Sequence, residues 1–451
     1  MKVIGILGAG PAGIAAAAAV IRHGGRVVII DHAPKLGGSA TNAEVGTICG
    51  LSLRKGHESS LLTSTHSSTS EISYFDNPGF ASEFAEKVSQ YDHSCPVTNE
   101  QGLCYLPYTP AAFEAVARAY LDNPLCSAVL SQQLTGAKRV ATSGTFQLST
   151  PDQTFHCDAV VDCSGNATLA TLLGYTVQSP DEPQSAAIVF SLRGLPITEN
   201  ERTLSFEVRK LLREGAISGA LPEALSFVSI VPGSLRLGSP TAHQHASGIA
   251  HFKLALDGLI YSDDNEAQPS TREQNRTELV TKVNSIIQFL TRSSPRFAHL
   301  ELHAVAQRVG IRSGNRGIGE EPLRDDDVLH ALPNPRGVAL GMWPCERWRT
   351  PHKPELLFPQ NTKTGGNFYE IPLGALCSRD CPSLYFAGRT IAATDTAIAS
   401  ARVMGTCLST GYAAGYAALA FQLGVPREAI INHLRELQVN PLYERLNLLA
   451  S

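Results

Sequence analysis

The sequence has little of what marks a membrane protein, a nucleic-acid-binding protein or a zinc site. No apolar run is long enough to cross a bilayer, and 37 basic and 41 acidic side chains leave a formal net charge of −4. We therefore expect neither a membrane nor a nucleic acid as a partner. The ten cysteines stand singly, without a C-x-x-C pair or a Cys/His ligand spacing. We predict free thiols and no metal site.

Tryptophan is the scarcest aromatic residue, and its two copies, Trp343 and Trp348, lie close together. Glu346 and Arg347 stand between them. Such a segment can line a pocket for an aromatic substrate, with Trp343 as a wall, Glu346 as a catalytic acid or base and Arg347 as an anchor. The alternative is that Trp343 packs in the core and that Glu346 and Arg347 form a solvated pair.

The beginning of the chain predicts a strand–turn–helix–strand unit that binds a dinucleotide. An apolar segment runs into Gly8-Ala9-Gly10-Pro11-Ala12-Gly13, which matches G-x-G-x-x-G, and a second apolar segment ends at Asp31. We expect Gly8 to form the tight turn, Gly10 to admit a pyrophosphate, and Gly13 to let the helix pack closely. Asp31 would accept hydrogen bonds from an adenosine ribose. The chain begins with a predicted strand and the glycine motif instead of the charged segment and cleavage site of a signal peptide. We therefore expect a cytoplasmic protein.

The 451 residues are too many for one hydrophobic core, so we expect two domains. The pattern predicts an α/β fold in which a dinucleotide-binding domain of Rossmann type is interrupted by an α+β substrate domain built on an antiparallel sheet. We place the first part at residues 1–175, the substrate domain at 176–325, the last part at 326–430 and a C-terminal helix at 431–451. The substrate domain is indicated by predicted strands at 186–195, 225–232 and 248–259 and a predicted helix at 277–291.

Four later segments indicate further contacts to a long cofactor. A second glycine pair ends at Gly38, shortly after the acid, and Ser39 adds a hydroxyl donor; the alternative is a surface turn. Apolar strands deliver Gly165 and the pair Gly388-Arg389 near their ends, where a backbone can approach a ligand. A helix of small residues after Arg402 aims its N-terminus at a group that gains negative charge.

These motifs occur in the order seen in FAD-dependent oxidoreductases of the glutathione-reductase-like superfamily, which the chain resembles. It looks closest to the branch with a single dinucleotide site and a separate substrate domain, related to tryptophan halogenases and flavin monooxygenase-like proteins. The resemblance implies FAD as the cofactor. It implies that Arg389, which stands where many relatives carry an acid, contacts a phosphate. The implied cofactor-binding residues are Gly8, Gly10, Ala12, Gly13, Asp31, Gly38, Ser39, Ala40, Gly165, Gly388, Arg389, Met404, Gly405 and Thr406, the last three through N–H groups at the flavin N1–O2 edge.

Two absences narrow what the resemblance implies. The Ile371-Pro372 motif is preceded by Asn367-Phe368-Tyr369 rather than by a halogenase-type Trp-x-Trp, which argues against halogenation. A second G-x-G-x-x-G is missing, so no separate nicotinamide domain is evident. We expect the electrons to come from an external donor, either a reduced nicotinamide or a reductase, or from the substrate itself.

Other residues leave alternatives open. Arg308, Arg312 and Arg316 would share one face if their segment were helical, and they bind either an anionic ligand or the acids at 325–327. Cys49 and His57 are conceivable attachment points for a covalent flavin. The Ser-, Thr- and His-rich stretch at 57–74 predicts a loop over the active site.

The leading functional hypothesis is a monooxygenase that hydroxylates an aromatic group, with tryptophan in a peptide or protein as one candidate. The second is a dehydrogenase or oxidase that takes hydride from an amine or hydroxy compound into FAD. The third is a flavin-fold binding module without turnover. The expected partner is accordingly an aromatic small molecule or a peptide or protein substrate.

Overall fold

A computed structural model describes residues 1–55, 75–196, 200–237, 248–258, 260–261, 269–351, 353–361 and 366–446. His57 and the loop expected at 57–74 lie outside the described residues. The first part of the chain comprises β1 Val3–Leu7, α1 Pro11–Arg22, β2 Arg26–Ile30, β3 Thr47–Ile48, α2 Phe80–Asp92, β4 Val97–Thr98, β5 Cys104–Pro107, α3 Pro110–Leu121, β6 Cys126–Val129, β7 Gly136–Arg139, β8 Phe146–Ser149, β9 Thr154–Cys157, β10 Ala159–Asp162, α4 Thr168–Leu172 and β11 Val177–Gln178.

The middle part carries long strands and helices. It comprises β12 Ala186–Leu195, α5 Glu201–Ile217, β13 Val228–Ile230, β14 Arg236–Leu237, β15 Gly248–Leu256, α6 Pro269–Ser293, β16 Glu301–Val305 and β17 Arg316–Gly317. The last part comprises α7 Asp325–Leu329, β18 Gly337–Gly341, β19 Cys345–Arg347, β20 Glu355–Leu357, β21 Tyr369–Pro372, α8 Leu373–Leu376, β22 Leu384–Phe386, α9 Asp395–Ala401, α10 Met404–Gln422, α11 Arg427–Gln438 and α12 Asn440–Arg445.

A five-stranded parallel sheet with the strand order β22-β10-β1-β2-β6 forms the centre of the first domain. Four of its strands, β1, β2, β10 and β22, are mostly apolar because both of their faces are covered, whereas the edge strand β6 is partly exposed. The register pairs Leu7 with Asp162 and with Ile30, and Asp162 with Phe386. The carboxyl ends of these four strands therefore meet at one edge, where ligands bind in open parallel sheets.

An antiparallel sheet with the order β13-β15-β12-β16, joined by β14 beside β15, forms the substrate domain. Alternate side chains of its strands, Phe190 and Phe252 among them, pack against α5 and α6. The intervening side chains, such as Val189 and Lys253, face the parallel sheet across a cavity. The predicted α/β fold with an inserted antiparallel domain is confirmed. The domain boundaries stay a prediction, although β11 and β17 pair where the chain leaves and rejoins the first domain.

Several element bounds differ from those expected. The helix expected at 277–291 begins at Pro269, and a 3-10 turn at Glu223–Leu225 shortens the strand expected at 225–232. The single helix expected at 431–451 was wrong, because α11 begins at Arg427 and α12 follows a break at Val439. Pro441 in the first turn of α12 lacks the N–H that a continuous helix would need.

Two further expectations concern the whole chain. The ten cysteines are all free thiols. Among the residues that the structure describes, no helix is long and apolar enough to cross a bilayer.

Helices α1 and α10 pack in direct backbone contact. A Cβ atom on Gly411 would lie 2.1 Å from the Ala12 carbonyl oxygen. We expect Gly411→Ala to lower the free energy of unfolding by about 1–3 kcal/mol, because overpacking outweighs the helix propensity that alanine adds. Chemical denaturation measures this. Gly136→Ala is the control, since its Cβ would meet only Ser149, at 4.0 Å. Equal denaturation midpoints for the two variants would mean that the helices can separate at no cost.

Candidate active site

A cavity of about 1290 Å³ lies between the carboxyl edge of the parallel sheet and the free face of the antiparallel sheet. It is larger than the roughly 300–1,000 Å³ of most small-molecule sites. One end is lined by the glycine-rich turn and Asp31, and the other by the two tryptophans. A mouth beside α5 includes Phe206, whose side chain is 69% exposed. The cavity therefore has room for a long ligand and a second molecule.

The glycine-rich turn between β1 and α1 forms one wall of the cavity. Gly8 has a φ of 101°, and a Cβ there would lie 2.4 Å from the Cys163 carbonyl oxygen. A Cβ on Gly13 would lie 1.8 Å from the Gly8 carbonyl oxygen, which explains the close helix packing. Gly10 differs, because its Cβ would meet only Gly38, at 3.8 Å. Its open side and the N-terminus of α1, which has no side-chain cap, border the cavity.

The carboxylate of Asp31 is held by two backbone amides. Its Oδ2 accepts a hydrogen bond from Ala9 N at 2.6 Å, and its Oδ1 accepts one from Ala33 N at 2.7 Å. Each oxygen keeps a further lone pair for a ligand hydroxyl. Gly37 N donates to Ala9 O at 2.8 Å, so the second glycine turn is fastened to the first.

The second glycine turn brings Gly38 against Gly10. A Cβ on Gly38 would lie 2.8 Å from the Gly10 Cα, and Gly38 has a φ of 54°. Ser39 lines the cavity. Ala40 lies behind this wall, where its carbonyl accepts a hydrogen bond from the Tyr108 hydroxyl at 3.1 Å. Ala40 thus supports the wall from outside the cavity.

The third glycine contact lies at the ends of β10 and β22. Gly388 has a φ of 68°, and Arg389 packs its guanidinium on Gly165. Arg389 Nη1 donates to the Ile311 carbonyl oxygen at 2.7 Å. All three residues, Gly165, Gly388 and Arg389, line the cavity. Arg389 therefore supplies a fixed positive charge to the middle of the cavity.

The N-terminus of α10 contributes less than expected. Gly405 N donates to the Cys49 carbonyl oxygen at 2.9 Å, so this N–H is not available to a ligand. Thr406 is fully buried and does not reach the cavity wall. Of the three residues expected at the flavin edge, only Met404 lines the cavity. Local packing on β3 and its following turn accounts for the difference.

We use the name indole chamber for the end of the cavity lined by Trp343, Trp348, Glu346, Lys253 and Arg312. Glu346 holds the two rings in place. Its Oε2 accepts a hydrogen bond from Trp343 Nε1 at 2.9 Å, and its Oε1 accepts one from Trp348 Nε1 at 2.6 Å. Both indoles are thereby fixed at the wall of the cavity, with one carboxylate between them.

Positive charge surrounds these rings. Lys253 Nζ lies 5.4 Å from the centroid of the Trp348 ring, and Arg312 Cζ lies 4.6 Å from it. Arg402 also lines the cavity, and its Nη2 donates to the Glu346 carbonyl oxygen at 3.0 Å. Three cations thus face one carboxylate in a partly buried space, which leaves an excess of positive charge.

The pKa shifts follow from this charge balance. Burial raises the pKa of Glu346, but Arg402, Lys253, the hydrogen bond from Trp343 and Arg312 together lower it by more, so the pKa falls below its ordinary 4.5 and the group is a carboxylate. Burial and the charge of Arg402 lower the pKa of Arg312 to about 10. Burial and Arg312 lower the pKa of Lys253. At Lys253 and Arg312, burial and the repulsion between cations thus outweigh the attraction of Glu346.

The family is decided by a match over nearly the whole chain. The family described as FAD dependent oxidoreductase matches residues 4–439. The chain belongs to this family. Its cofactor is FAD. The adjacent glycine turns at residues 8–13 and 37–38, which we name the glycine cradle, fit this cofactor because Gly10 leaves open space beside an uncapped helix N-terminus. No curated protein matches the sequence.

The FAD-dependent oxidoreductase also aligns with solved structures at low identity. They include BexE, studied for oxidation during BE-7585A biosynthesis, at 10% identity and a TM-score of 0.48, covering 97% of this chain and 66% of BexE. CabE, an aromatic hydroxylase from angucycline biosynthesis, aligns at 10% identity and a TM-score of 0.44, covering 99% and 67%. OxyS anhydrotetracycline hydroxylase from Streptomyces rimosus aligns at 11% and 0.41, covering 96% and 65%. The chain spans about two thirds of the length of these proteins.

The structure separates the three residues expected to be catalytic. Trp343 and Glu346 lie in the indole chamber, but Arg347 does not line the cavity of this oxidoreductase. Neighbouring residues of a strand face opposite sides, so placing Glu346 in the chamber turns Arg347 away from it. Its expected role as an anchor is corrected. The alternative is right that Trp343 is buried, but Glu346 does not form a solvated pair with Arg347, since it binds the two indoles.

The condition for a shared arginine face is not met. The segment that carries Arg308, Arg312 and Arg316 is not helical in the structure. Arg308 lines the Asp31 end of the cavity, and Arg312 lines the indole chamber. Arg316 is 2% exposed and forms a salt bridge with Asp395 rather than with the acids at 325–327. It is a structural residue.

Lys253, Tyr105 and the side chain of Arg402 also line the cavity, although no motif marks them in the sequence. Lys253 alternates with apolar residues along β15, a pattern that ordinarily marks the solvent face of a strand. Tyr105 stands on β5 and meets the Trp343 ring edge-on, with centroids 5.3 Å apart. No local pattern distinguishes such residues from ordinary surface positions. Among the described residues, no cluster of three or more His, Cys, Asp or Glu side chains is placed to hold a metal.

Cys49 is expected to resist alkylation. Burial and the charge of Glu346 raise the pKa of its thiol to about 12, so only about one thiol in 10⁴ is ionised at pH 8. The exposed Cys95 is the control. Brief treatment with iodoacetamide followed by peptide mass spectrometry should label Cys95 and leave Cys49 unmodified. Rapid labelling of Cys49, or FAD that stays attached to its peptide after denaturation, would contradict this.

Proposed function

We propose that this FAD-dependent oxidoreductase is a monooxygenase that hydroxylates an aromatic substrate in the indole chamber. The observation that carries the proposal is the pair of indoles, Trp343 and Trp348, fixed by Glu346 in the same cavity as the glycine cradle. The edge-on Tyr105 ring adds a third aromatic wall. When bound, FAD accepts two electrons and in reduced form activates dioxygen. A planar aromatic ring suits walls of this kind.

The cofactor would lie along the glycine cradle. We assign the ADP half to the turn at Gly8, Gly10, Ala12 and Gly13, with Asp31 accepting hydrogen bonds from the ribose. Other residues of the cavity wall would follow towards the flavin. They are Gly38, Ser39, Gly165, Gly388, Arg389 and Met404.

The chamber is poorly suited to taking hydride from a hydroxy compound with a carboxylate base. The pKa of Glu346 is lowered, and each of its oxygens already accepts an indole N–H. Such a carboxylate is a weak base. A monooxygenase requires a site without water, and in this proposal the bound substrate and the free face of the antiparallel sheet would together exclude water from the chamber.

The electron donor is external in this proposal, either a reduced nicotinamide or a reductase. The mouth beside α5 carries Arg202, Arg209 and the exposed Phe206. This mouth gives access to a substrate larger than the chamber. Tryptophan in a peptide is therefore one candidate for the aromatic group.

Anaerobic mixing followed by isotope-labelled dioxygen tests the proposal. The probes are 4-hydroxybenzoate and a short peptide that contains tryptophan. Neither probe alone should bleach the oxidised flavin. After reduction with dithionite and addition of ¹⁸O₂, mass spectrometry should find one labelled oxygen atom in a hydroxylated probe. Bleaching of the flavin by a probe alone would instead identify a dehydrogenase, and label recovered solely in peroxide or water would contradict hydroxylation.

A further inference from the structure

We propose that Lys253 and Arg312 form a binding site for a carboxylate on the substrate, which makes the substrate class an aromatic carboxylate. This site deepens the proposed function and rests on it, because the bound carboxylate is a substrate only if the protein is the proposed monooxygenase. It starts from one contact pattern: both cations are directed at the same Trp348 ring, at 5.4 Å and 4.6 Å from its centroid. An aromatic surface and two positive charges are therefore presented together.

Lys253 and Arg312 are in direct contact with no carboxylate among the residues that the structure describes. Within the described ranges, neither Lys253 nor Arg312 forms a salt bridge, and Arg312 Nη1 donates to the Ser185 carbonyl oxygen. The carboxylate that the chamber offers, Glu346, has both oxygens engaged by indole N–H groups. Two like charges held beside one ring repel each other. A bound anion would relieve this repulsion and replace the water that the cations have lost.

The positions of the cations favour a substrate over the cofactor as the source of the anion. Lys253 stands in the middle of β15, opposite Val189 on β12 and Ser229 on β13, so it projects from the substrate domain. Arg402 precedes α10 and belongs to the other domain. We therefore leave Arg402 to the flavin side and assign Lys253 and Arg312 to the substrate.

A carboxylate suits this pair better than other groups do. The guanidinium of Arg312 offers two N–H groups in one plane, which match the two oxygens of a carboxylate. The ammonium of Lys253 adds a point charge that accepts varied directions. The Trp348 ring beside them provides a surface against which the substrate's own ring can pack. Charge recognition and ring recognition thus fall within one molecule of the size of a benzoate.

The two tryptophans give a direct measurement of binding. The chain holds only Trp343 and Trp348, and both line the chamber. Tryptophan emission of the FAD-loaded protein therefore reports on this site alone. We would titrate it with benzoate and with benzamide, its neutral counterpart of nearly equal shape. We expect benzoate to bind about 10- to 100-fold more tightly, as for hydrogen bonds to charged groups. The absorbance spectrum of FAD gives a second readout of binding.

Variants that remove one charge test whether Lys253 and Arg312 cause the preference for benzoate over benzamide. Arg312→Gln and Lys253→Met should each reduce it to about 2-fold, and Arg312→Lys should restore part of what Arg312→Gln loses. Arg213→Gln and Lys210→Met remove matched charges from the exposed side of α5 and should leave it unchanged. Thermal melting and retained FAD absorbance show that each variant is folded.

The outcomes separate this inference from the proposed function, because binding is measured without turnover. Equal affinity for benzoate and benzamide, no binding of either, or an undiminished preference in both chamber variants would overturn the carboxylate site. Hydroxylation of neutral aromatics alone would also overturn it and leave the monooxygenase intact. A benzoate preference without any hydroxylation would uphold the site and remove the proposed function.

Discussion

Glu346→Gln should unfold at a lower denaturant concentration than the native protein and yet bind benzoate more tightly. The carboxylate is the negative charge that the chamber sets against Lys253, Arg312 and Arg402, and it accepts both indole N–H groups. A neutral amide of the same shape removes the charge and keeps one acceptor oxygen. We expect a loss of about 1–3 kcal/mol in the free energy of unfolding, as for leaving one buried indole N–H without its acceptor.

The gain in anion binding has the same electrostatic origin. Replacing Glu346 raises the excess positive charge around the Trp348 ring, so benzoate should bind about 10-fold more tightly. A carboxylate that balances the cations should, when neutralised, lower the stability and raise the affinity for benzoate. A residue that merely packs should not raise that affinity. Glu436→Gln, on the exposed side of α11, is the matched control and should change neither quantity.

The pH dependence of stability is a second test of whether the charge of Glu346 stabilises the fold. The pKa of Glu346 is lowered below its ordinary 4.5 in the folded protein. A depressed pKa stabilises the fold above the unfolded value, and that contribution disappears as the pH falls through the folded value. The stability difference between native protein and Glu346→Gln should therefore be full at neutral pH and shrink below about pH 4.5. A constant difference down to pH 3, or weaker benzoate binding by the variant, would refute the charge-balancing role.

The sequence reveals the cofactor end of the site and hides most of the substrate end. The fold of the first unit is local: an apolar strand, a glycine turn, a helix of small residues and Asp31 follow one another within one stretch of chain. The parallel sheet aligns β10 and β22 beside this unit, so Gly165 and Gly388 could also be inferred from motifs at strand ends. Each of these signals depends on residues that are neighbours in sequence.

The indole chamber lacks such a signal. Lys253, Arg312 and Trp348 meet only because the antiparallel sheet lies over the parallel sheet. The arginine spacing of four residues gives one shared face only in a helix, but Gly310 pairs with Ala187 of β12 and Gly314 packs against Gly165. A Cβ on Gly314 would lie 2.2 Å from the Gly165 carbonyl oxygen. Side-chain periodicity cannot report such backbone contacts, so both the direction of Arg312 and its partners had to come from the structure.

Gly10→Ala should weaken FAD binding and Gly13→Ala should weaken the fold, although both change one glycine of the same turn. A Cβ on Gly10 meets only Gly38, at 3.8 Å, and otherwise enters the cavity, so the protein should fold normally. We expect FAD affinity to fall by about 10- to 100-fold, because the methyl group occupies the space into which a pyrophosphate would come. Dialysis against FAD and titration of the flavin fluorescence measure this loss.

Gly13→Ala should instead damage the fold itself. Its Cβ would lie 1.8 Å from the Gly8 carbonyl oxygen, a backbone atom that can move away only if α1 separates from β1. We expect a loss of about 3 kcal/mol or more in the free energy of unfolding of the FAD-free protein, at the upper end of overpacking costs. The Gly10→Ala protein without FAD should unfold as the native protein does. If Gly10→Ala bound FAD normally, the pyrophosphate would have to lie elsewhere, and the assignment of this cradle would fall while the fold stood.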